Sequence, residues 1–486
     1  MEHGGLVAGV AVASLAFALL GLLHARSRRW SVEDYISARY SAGTSATVVT
    51  LVASAIGVWV LFSPAEAGTW GGVTALLGYG LGSAAPFLAL IPLGRRMRAL
   101  VPGAHSLTEY LWWRYGPGMY ALGLTIVVFY MFIFLTAEVT GIALAVNLVA
   151  KAPLPLIAAL VGLATVAYTA YGGLPSTVFT DRIQFAVILP LLIVTFAGVV
   201  VGLGGADAVV AQVRSGAPAL LALDHRPGLE AAATFVVAIL AANLFHQGYW
   251  QRVYLARDQR VLRRALLIAA TLAAPIVILP GLLGIVAKAA GRADVPSVAF
   301  FGLLLGLAPD WLVLGVLVLA VALAMSSIDT LLNGLAAVFT ADLARLRPAA
   351  RAGQLLRSSR LITVALAVPA ILIASRGYSV LYLFLVADLV CAAAMVPVFL
   401  GLYVPRLAGW AAAVSTLAGI AAGAAFFPDP GFMRGRLLTA FVLAAAVPAG
   451  LAALLTLASR PTDLGRLAAG IRPLAEPVEG PVSDAR

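Results

Sequence analysis

The segment MSSIDTLLNG, residues 325–334, places several oxygen-bearing side chains between two apolar stretches, LVLGVLVLAVALA and LAAVFT. On a helix with about 100° per residue, most of these side chains share roughly 100° of arc. The stripe consists of Ser326, Asp329, Thr330 and Asn333, with Ser327 at one edge. The pattern predicts a helix with one polar face, whose oxygens need a cation, a partner or water.

The surroundings of this segment are those of a membrane protein. Apolar residues make up 62% of the 486 residues and charged residues only 11%, whereas soluble domains are about half apolar and a quarter charged. A bilayer core about 30 Å thick requires roughly 20 apolar residues per helix. Thirteen segments qualify, near residues 6–24, 43–68, 71–93, 118–149, 153–171, 176–203, 229–252, 263–288, 308–340, 358–375, 377–402, 407–427 and 436–458. A β-barrel would show short alternating segments instead, so we predict an all-α integral membrane protein.

The net charge of +11 reports topology and not a polyanionic partner. When loops alternate across thirteen spans, 24 of the 32 Lys and Arg fall on one side. By the positive-inside rule this side is cytoplasmic, which puts the N-terminus outside and the C-terminus inside the plasma (inner) membrane. We therefore predict no nucleic-acid partner. Residues 1–458 are predicted to form one membrane domain, and the Pro-rich residues 459–486 a disordered cytoplasmic tail.

Few residues support catalysis. The single Cys391 excludes a disulfide framework and a thiolate metal cluster. The histidines are scattered without metal-ligand spacing: His3, His24, His105, His225 and His246. We therefore predict that the protein is not an enzyme.

The polar stripe suits a hard monovalent cation, because hydroxyl and carbonyl oxygens can replace its hydration shell. A second wall of oxygens is available in VASAIGVWVLFSPAEAG, residues 52–68, where glycine and proline predict a broken helix near mid-membrane. The alternative is that the serines bond their own helix backbone or a neighbouring helix. Asp329 argues against this alternative, since an ionisable residue within a span costs roughly 3 kcal/mol and usually marks a pathway or partner.

Four motifs resemble the solute:sodium symporter family. YGGLPSTVFTDRIQ, residues 171–184, resembles the family signature at the start of a core helix. SSID at 326–329, HQGYWQR at 246–252 and PGAHSLTEYLWWRYG at 102–116 are similar to further family segments.

This resemblance implies the leucine-transporter (LeuT-type) fold, a 5+5 inverted repeat, here residues 43–203 and 229–402. It implies a sodium ion held by two hydroxyls and three carbonyls. On this sequence these belong to Ser326 and Ser327, and to Ala53, Ile56 and Leu323. Asp181 is expected to attract the ion as it leaves toward the cytoplasm; the alternative is an ion pair with an arginine.

The solute is expected beside the breaks of the two pseudo-symmetric helices. The candidate residues are Ser54, Trp59, Glu138, Asn243, His246 and Gln247. Glu138 could bind a solute amine or carry a proton, and its alternative is a buried interhelical hydrogen bond. For His246 the alternative is a packing or structural role. No role is predicted for Asp388. YWQ at 249–251 is similar to the urea and polyamine branch of the family, while amino acids, sugars, carboxylates and vitamins remain open.

The predicted function is import of a small polar organic solute together with sodium, by alternating access. Sodium is the expected coupling ion, and the solute, sodium and the bilayer are the expected partners. Proton coupling through Glu138 or Asp181, and a transporter-like sensor, are the alternatives.

Overall fold

The computed structural model describes residues 3–27, 31–346, 352–429 and 435–471. This part of the chain is helical, apart from one isolated bridge between Ala42 and Ala256. Its α-helices, in chain order, are α1 His3–Arg26, α2 Val32–Ile36, α3 Thr44–Ala55, α4 Ser63–Leu100, α5 Leu107–Tyr115, α6 Pro117–Ala150, α7 Leu154–Gly202, α8 Ala206–Gly216, α9 Arg226–Leu244, α10 Gln247–Leu255, α11 Gln259–Ala289, α12 Ala299–Leu305, α13 Asp310–Leu346, α14 Ala352–Ala374, α15 Val380–Leu400, α16 Gly409–Ala424, α17 Leu437–Leu457 and α18 Leu467–Gly470.

Each of the thirteen predicted apolar segments lies on helix. Ten helices in the described ranges are long and apolar enough to cross a bilayer. The other three spans arise because α7 contains two spans, α3 forms a further span with the first turns of α4, and α16 is a short apolar helix. The all-α prediction is therefore confirmed for the described residues.

Two of the long helices, α4 and α7, each consist of two helical segments that meet at a kink, near the predicted gaps at residues 69–70 and 172–175. α4 bends at Gly72, with φ 63°, and α7 bends at Gly173, with φ 58°. Both values lie in the left-handed region that favours glycine. A Cβ on Gly173 would also lie 2.5 Å from the Tyr35 ring, so packing against α2 independently requires the missing side chain.

Two helices are broken where they cross the bundle. α3 ends at Ala55, and Ile56 and Gly57 are extended before a 3₁₀ turn, Val58–Leu61, leads into α4. α9 ends at Leu244, and Phe245 and His246 separate it from α10. These breaks lie in the first helix of each predicted repeat.

The most buried helix is α13, which packs against α1, α6, α7 and α14. The polar stripe therefore faces protein on all sides. At the C-terminal end, Leu467 is buried within a short helical turn, α18. Residues 472–486 of the predicted disordered tail lie outside the described residues.

Candidate functional site

The break after α3 releases backbone carbonyls in the middle of the bundle. The last helical bond runs from the Ile56 N–H to the Val52 carbonyl, over 3.1 Å, and Ile56 then turns away with ψ 105°. The carbonyl of Ala53 is left without its usual partner four residues on. The sequence-predicted break is thus present at the predicted residues.

Glu138 supports this break from α6. Its Oε2 accepts a hydrogen bond from the Val58 N–H over 2.8 Å, while its Oε1 is buried without a partner. A Cβ on Gly57 would lie 2.2 Å from Oε1, so only glycine lets the carboxylate approach the backbone. Glu138 therefore forms the buried hydrogen bond named as its alternative role, but to backbone of the broken helix.

Ser326 on α13 lies against the released carbonyl. Its Oγ is 2.9 Å from the Ala53 carbonyl oxygen and 2.8 Å from Asp181 Oδ1. One hydroxyl proton can serve only one of these acceptors at a time. The neighbouring Ser327 Oγ is buried without a hydrogen-bond partner. The two hydroxyls and the Ala53 carbonyl are the oxygens that a small cation would use. We call this group of three oxygens the half-site.

The other two predicted ligands lie close in the chain to this contact. Ile56 is buried three residues after Ala53, and Leu323 is buried one helical turn before Ser326. Their carbonyls are placed by the same two elements, although no hydrogen bond joins them to the pair of serines.

Asp181 on α7 connects this half-site to a buried arginine. Its Oδ2 accepts hydrogen bonds from Thr50 and, over 3.3 Å, from Arg252 Nη2 on α10. Arg252 also donates to Thr50 Oγ1 over 3.1 Å and to Thr330 Oγ1 over 2.9 Å. The side chains of Asp181 and Arg252 are fully buried. Asp181 therefore lies beside the half-site itself, and it also forms the ion pair named as its alternative role.

A second carboxylate, Asp329, extends the buried polar network around Asp181. We call this network the polar layer. Asp329 Oδ2 accepts hydrogen bonds from the Tyr168 hydroxyl over 2.6 Å and from Thr180 Oγ1 over 3.3 Å. Asn333, one turn further on α13, donates to Thr177. The stripe therefore joins α13 to α7 over most of its length, and only its Ser326 end meets the broken helix.

The ionised charges of this layer do not cancel. With both carboxyl groups ionised, Asp181 and Asp329 would carry two negative charges against the one positive charge of Arg252. A buried excess charge is costly in a low dielectric, so a monovalent cation or a proton would neutralise the layer. The sequence analysis includes Arg252 only as the last residue of the motif HQGYWQR and assigns it no role. An arginine within a membrane span needs a carboxylate partner, and this requirement could have indicated its pairing.

A partly open cavity lies beside both helix breaks, and the space of about 580 Å³ between its lining residues includes open solvent. Trp59 and Asn243, predicted as solute residues, line this cavity. Ser54, Glu138, His246 and Gln247 are not among its lining residues.

Glu138 contacts the broken helix, as described above, and the other three candidates outside the cavity have their own contacts. Ser54 donates to the Leu51 carbonyl over 3.1 Å, within its own helix. Gln247 donates to the His105 carbonyl over 2.7 Å and accepts from the Leu107 N–H over 3.0 Å, which occupies both ends of its amide. His246 is buried with neither ring nitrogen hydrogen-bonded, and it stacks on Tyr249. These contacts place Gln247 as a link between α10 and the segment before α5.

The sequence of the chain matches known transporters. A sequence model described as the sodium:solute symporter family matches residues 35–419. A relative from Candida albicans, named a spermidine transporter, is 27% identical over 397 residues, which cover 80% of this chain and 73% of the relative.

Solved structures of similar fold are also transporters. A Na⁺-coupled sialic acid symporter, solved in a substrate-bound outward-open state, superimposes with a TM-score of 0.78 at 18% identity, over 94% of this chain and 99% of that one. A nucleobase-cation-symport-1 family transporter with bromovinylhydantoin bound has a TM-score of 0.58 at 14% identity, over 90% and 99% of the two chains. At these identities the likeness establishes the fold.

Proposed function

Because the chain belongs to the sodium:solute symporter family, we propose that it imports a small polar organic solute together with sodium ions. It is a multi-pass membrane protein, and its family and relatives are transporters, not enzymes. The observation that carries the proposal is the contact of Ser326 Oγ with the Ala53 carbonyl, 2.9 Å apart, where the broken helix meets α13.

Sodium suits this contact because it binds hydroxyl and carbonyl oxygens that replace its water shell. The unpartnered Ser327 hydroxyl supplies a further buried oxygen. The proposed ligands are the hydroxyls of Ser326 and Ser327 and the carbonyls of Ala53, Ile56 and Leu323. The excess negative charge of the layer around Asp181 favours one monovalent cation.

The ion couples to the solute through the broken helix. Sodium bound between Ala53 and Ser326 fixes α3 against α13, and the residues just after Ala53 lead directly to Trp59 in the cavity wall. The ion therefore completes the solute site and favours the outward-open state. The ion and the solute leave on the other side after a rearrangement of the proposed repeats, residues 43–203 and 229–402. One charge moving through 100 mV supplies about 2.3 kcal/mol, or roughly fifty-fold accumulation.

The proposed topology tells which end of the ion path faces the cytoplasm, while the inward sodium gradient sets the direction of transport. The excess of basic residues on one side of the spans supports a cytoplasmic C-terminus and an external N-terminus in the plasma membrane. Asp181 lies on the second half of α7, which starts at this cytoplasmic side, and it offers a departing ion a negative charge there.

The test is uptake into proteoliposomes with an imposed sodium gradient, with potassium in its place as the blank. Spermidine belongs in the solute panel, because the Candida albicans relative is named for it.

Ser326→Ala and Ser327→Ala are expected to lower the sodium affinity of uptake at least tenfold, since each removes a buried oxygen. Ser415→Ala is the matched control, because this hydroxyl is also buried and unpartnered but lies on α16. Unchanged sodium affinity in both site variants would refute the ion assignment.

A proton-coupled symporter is the second candidate. The observation that favours it is the same charge excess, which a proton on Asp181 or Asp329 could neutralise in place of sodium. Uptake in sodium-free buffer across a pH series separates the two: sodium coupling predicts no concentrative uptake at any pH, and proton coupling predicts uptake driven by an acidic exterior.

A further inference from the structure

The cavity beside the helix breaks is bounded by a continuous series of aromatic rings. Trp59 stacks on Tyr79 with centroids 5.9 Å apart and meets Phe384 at 6.0 Å, with the rings at 74°. Phe384 in turn meets the edge of Phe134 at 4.7 Å. All four of these rings line the cavity.

The series continues on the other wall of the cavity. Phe134 neighbours Tyr130 at 5.9 Å, and Tyr130 approaches His246 at 6.2 Å. His246 stacks on Tyr249 at 4.8 Å, and Tyr249 stacks on Phe87 at 5.5 Å. Apart from His246, these rings also line the cavity.

One acidic side chain faces this aromatic enclosure. Asp388 lines the cavity, is only 5% exposed and forms no hydrogen bond or ion pair among the described residues. It follows Phe384 by four residues on α15, so both side chains lie on one face of that helix. Among the lining residues it is the sole ionisable group other than tyrosine, and no lysine, arginine or histidine is present to neutralise it.

An unpaired carboxylate among aromatic rings is an unfavourable arrangement unless a cation enters it. Burying an ionised carboxylate is costly unless it is paired. The faces of Trp, Tyr and Phe rings attract cations, and recognition of ammonium groups by aromatic cages uses this attraction. An ionised Asp388 would repel the carboxylate of an acidic solute.

We propose that the solute of this transporter is an organic cation, with its ammonium group bound at Asp388 and framed by the rings of Trp59, Phe134 and Phe384. The assignment rests on the proposed function, because it places the solute in the cavity next to the sodium half-site. Asp388 supplies the opposite charge, the rings supply shape and cation–π attraction, and the Asn243 amide lies on the wall for a polar group at the other end of the solute.

The test is direct binding to the full-length protein in detergent, measured by titration calorimetry in sodium and in potassium buffer. The probes are choline, its uncharged carbon isostere 3,3-dimethylbutan-1-ol, and spermidine as a second cation. Wild-type protein is expected to prefer choline to the isostere. Asp388→Asn keeps the side-chain shape and is expected to lower affinity for the cations about 30- to 100-fold, while leaving the isostere unaffected.

Two variants serve as comparisons. Phe384→Leu removes one ring. It is expected to weaken cation binding about tenfold, because the cation loses its attraction to the face of that ring. Glu66→Gln is the matched control, because Glu66 is also a buried acid in the membrane domain but bonds Ser379 and does not line the cavity. It is expected to bind the cations as wild type does.

The outcomes separate this assignment from sodium coupling. Cation binding that Asp388→Asn abolishes, but that is equal in sodium and potassium, supports the cation site and refutes the coupling. Equal binding of choline and its isostere, unchanged cation affinity in Asp388→Asn, or no binding of either cation at millimolar concentration overturns the cation site. Sodium-dependent binding of the isostere alone would support sodium coupling and refute the cation site.

Discussion

Arg252 is a fully buried cation, and its pairing with Asp181 affects the charge balance of the proposed ion site. Its guanidinium contacts Asp181, Thr50 and Thr330, which lie on three other helices. Breaking a buried ion pair by removing one partner leaves an uncompensated charge and typically costs about 3–5 kcal/mol. Arg252 and a sodium ion bound beside Ser326 would therefore compete for the Asp181 carboxylate.

Arg252→Gln is expected to make the protein more dependent on sodium. In potassium buffer the variant should unfold at a lower temperature than wild type, because Asp181 loses its partner. Sodium should then raise its melting temperature by more than it raises that of wild type, since the ion replaces the lost charge. Thermal unfolding of the purified protein in sodium and potassium buffers of equal ionic strength measures both effects.

The control is Arg345→Gln, which breaks a pair with Asp342 at the end of α13, 3.2 Å apart and away from the half-site. It should not change the sodium-induced increase. An Arg252→Gln protein stabilised by sodium no more than wild type would contradict the proposed competition.

Residue types alone predicted part of this site. The polar stripe and the glycine-containing break, both local in sequence, predict that Ser326 faces residues 53–56, and the family resemblance implies the Ala53 carbonyl in particular. The pairing of Asp181 with Arg252 was not assigned, since these residues lie 71 positions apart and only the packing of α7, α10 and α13 brings them together. Glu138 was placed in the solute site, although its contact with Val58 uses it as a support for the break.

At the scale of elements, the short helix α2 is attached to the segment before α5 by buried charges. His105 Nε2 lies 2.8 Å from Glu33 Oε2, and His105 Nδ1 lies 3.1 Å from Glu109 Oε2. Arg39 pairs with Glu33 at 2.5 Å and also approaches His105. These groups lie outside the membrane spans, at the end of the bundle proposed to be cytoplasmic.

The link is sensitive to pH. Burial lowers the pKa of His105, but the carboxylates of Glu109 and Glu33 outweigh burial and raise it to about 9. Burial raises the pKa of Glu33, but the hydrogen bond and charge of His105, with Arg39, lower it to about 2. A raised histidine pKa stabilises the fold fully below the unfolded value of 6.5, and this stabilisation is lost as pH rises through about 9.

We expect the melting temperature of the wild-type protein to fall between neutral pH and pH 10 as about 2 kcal/mol of stabilisation is lost. His105→Gln should already be less stable at neutral pH and should show a flatter profile over this range. His225→Gln is the control, because that ring contacts the Trp70 carbonyl and no carboxylate. Parallel profiles for wild type and His105→Gln would show that the link does not titrate.

The helices themselves were predictable, and their junctions less so. Apolar length predicts every span, and the kink at Gly173 lies in the predicted gap 172–175, whereas the kink at Gly72 lies inside the predicted span 71–93. A glycine with positive φ lets the chain turn between two helical segments, because it has no Cβ. At Gly72 a Cβ would lie 2.3 Å from the Leu220 carbonyl oxygen, a contact that no local pattern reveals.

At the scale of the whole molecule, the solute cavity was the least predictable feature. Its rings come from residues as far apart as Trp59 and Phe384, and aromatic residues in an apolar chain give no sign of which ones face each other. Asp388 had no predicted role, because an isolated acid in a span indicates a functional position without naming its partner. Family resemblance supplied the fold, and the fold placed the acid beside the rings.

The topology of the molecule is a further prediction, and it can be tested on intact cells. Asp224 lies between α8 and α9, on the side proposed to be external, and Arg257 lies between α10 and α11, on the side proposed to be cytoplasmic; both are exposed. The native Cys391 is fully buried, so it provides a low background. Asp224→Cys should react with a membrane-impermeant maleimide added to intact cells, and Arg257→Cys only after permeabilisation. Labelling of the second variant alone in intact cells would invert the proposed orientation and with it the direction of import, whereas labelling of both only after permeabilisation would place the protein in an internal membrane.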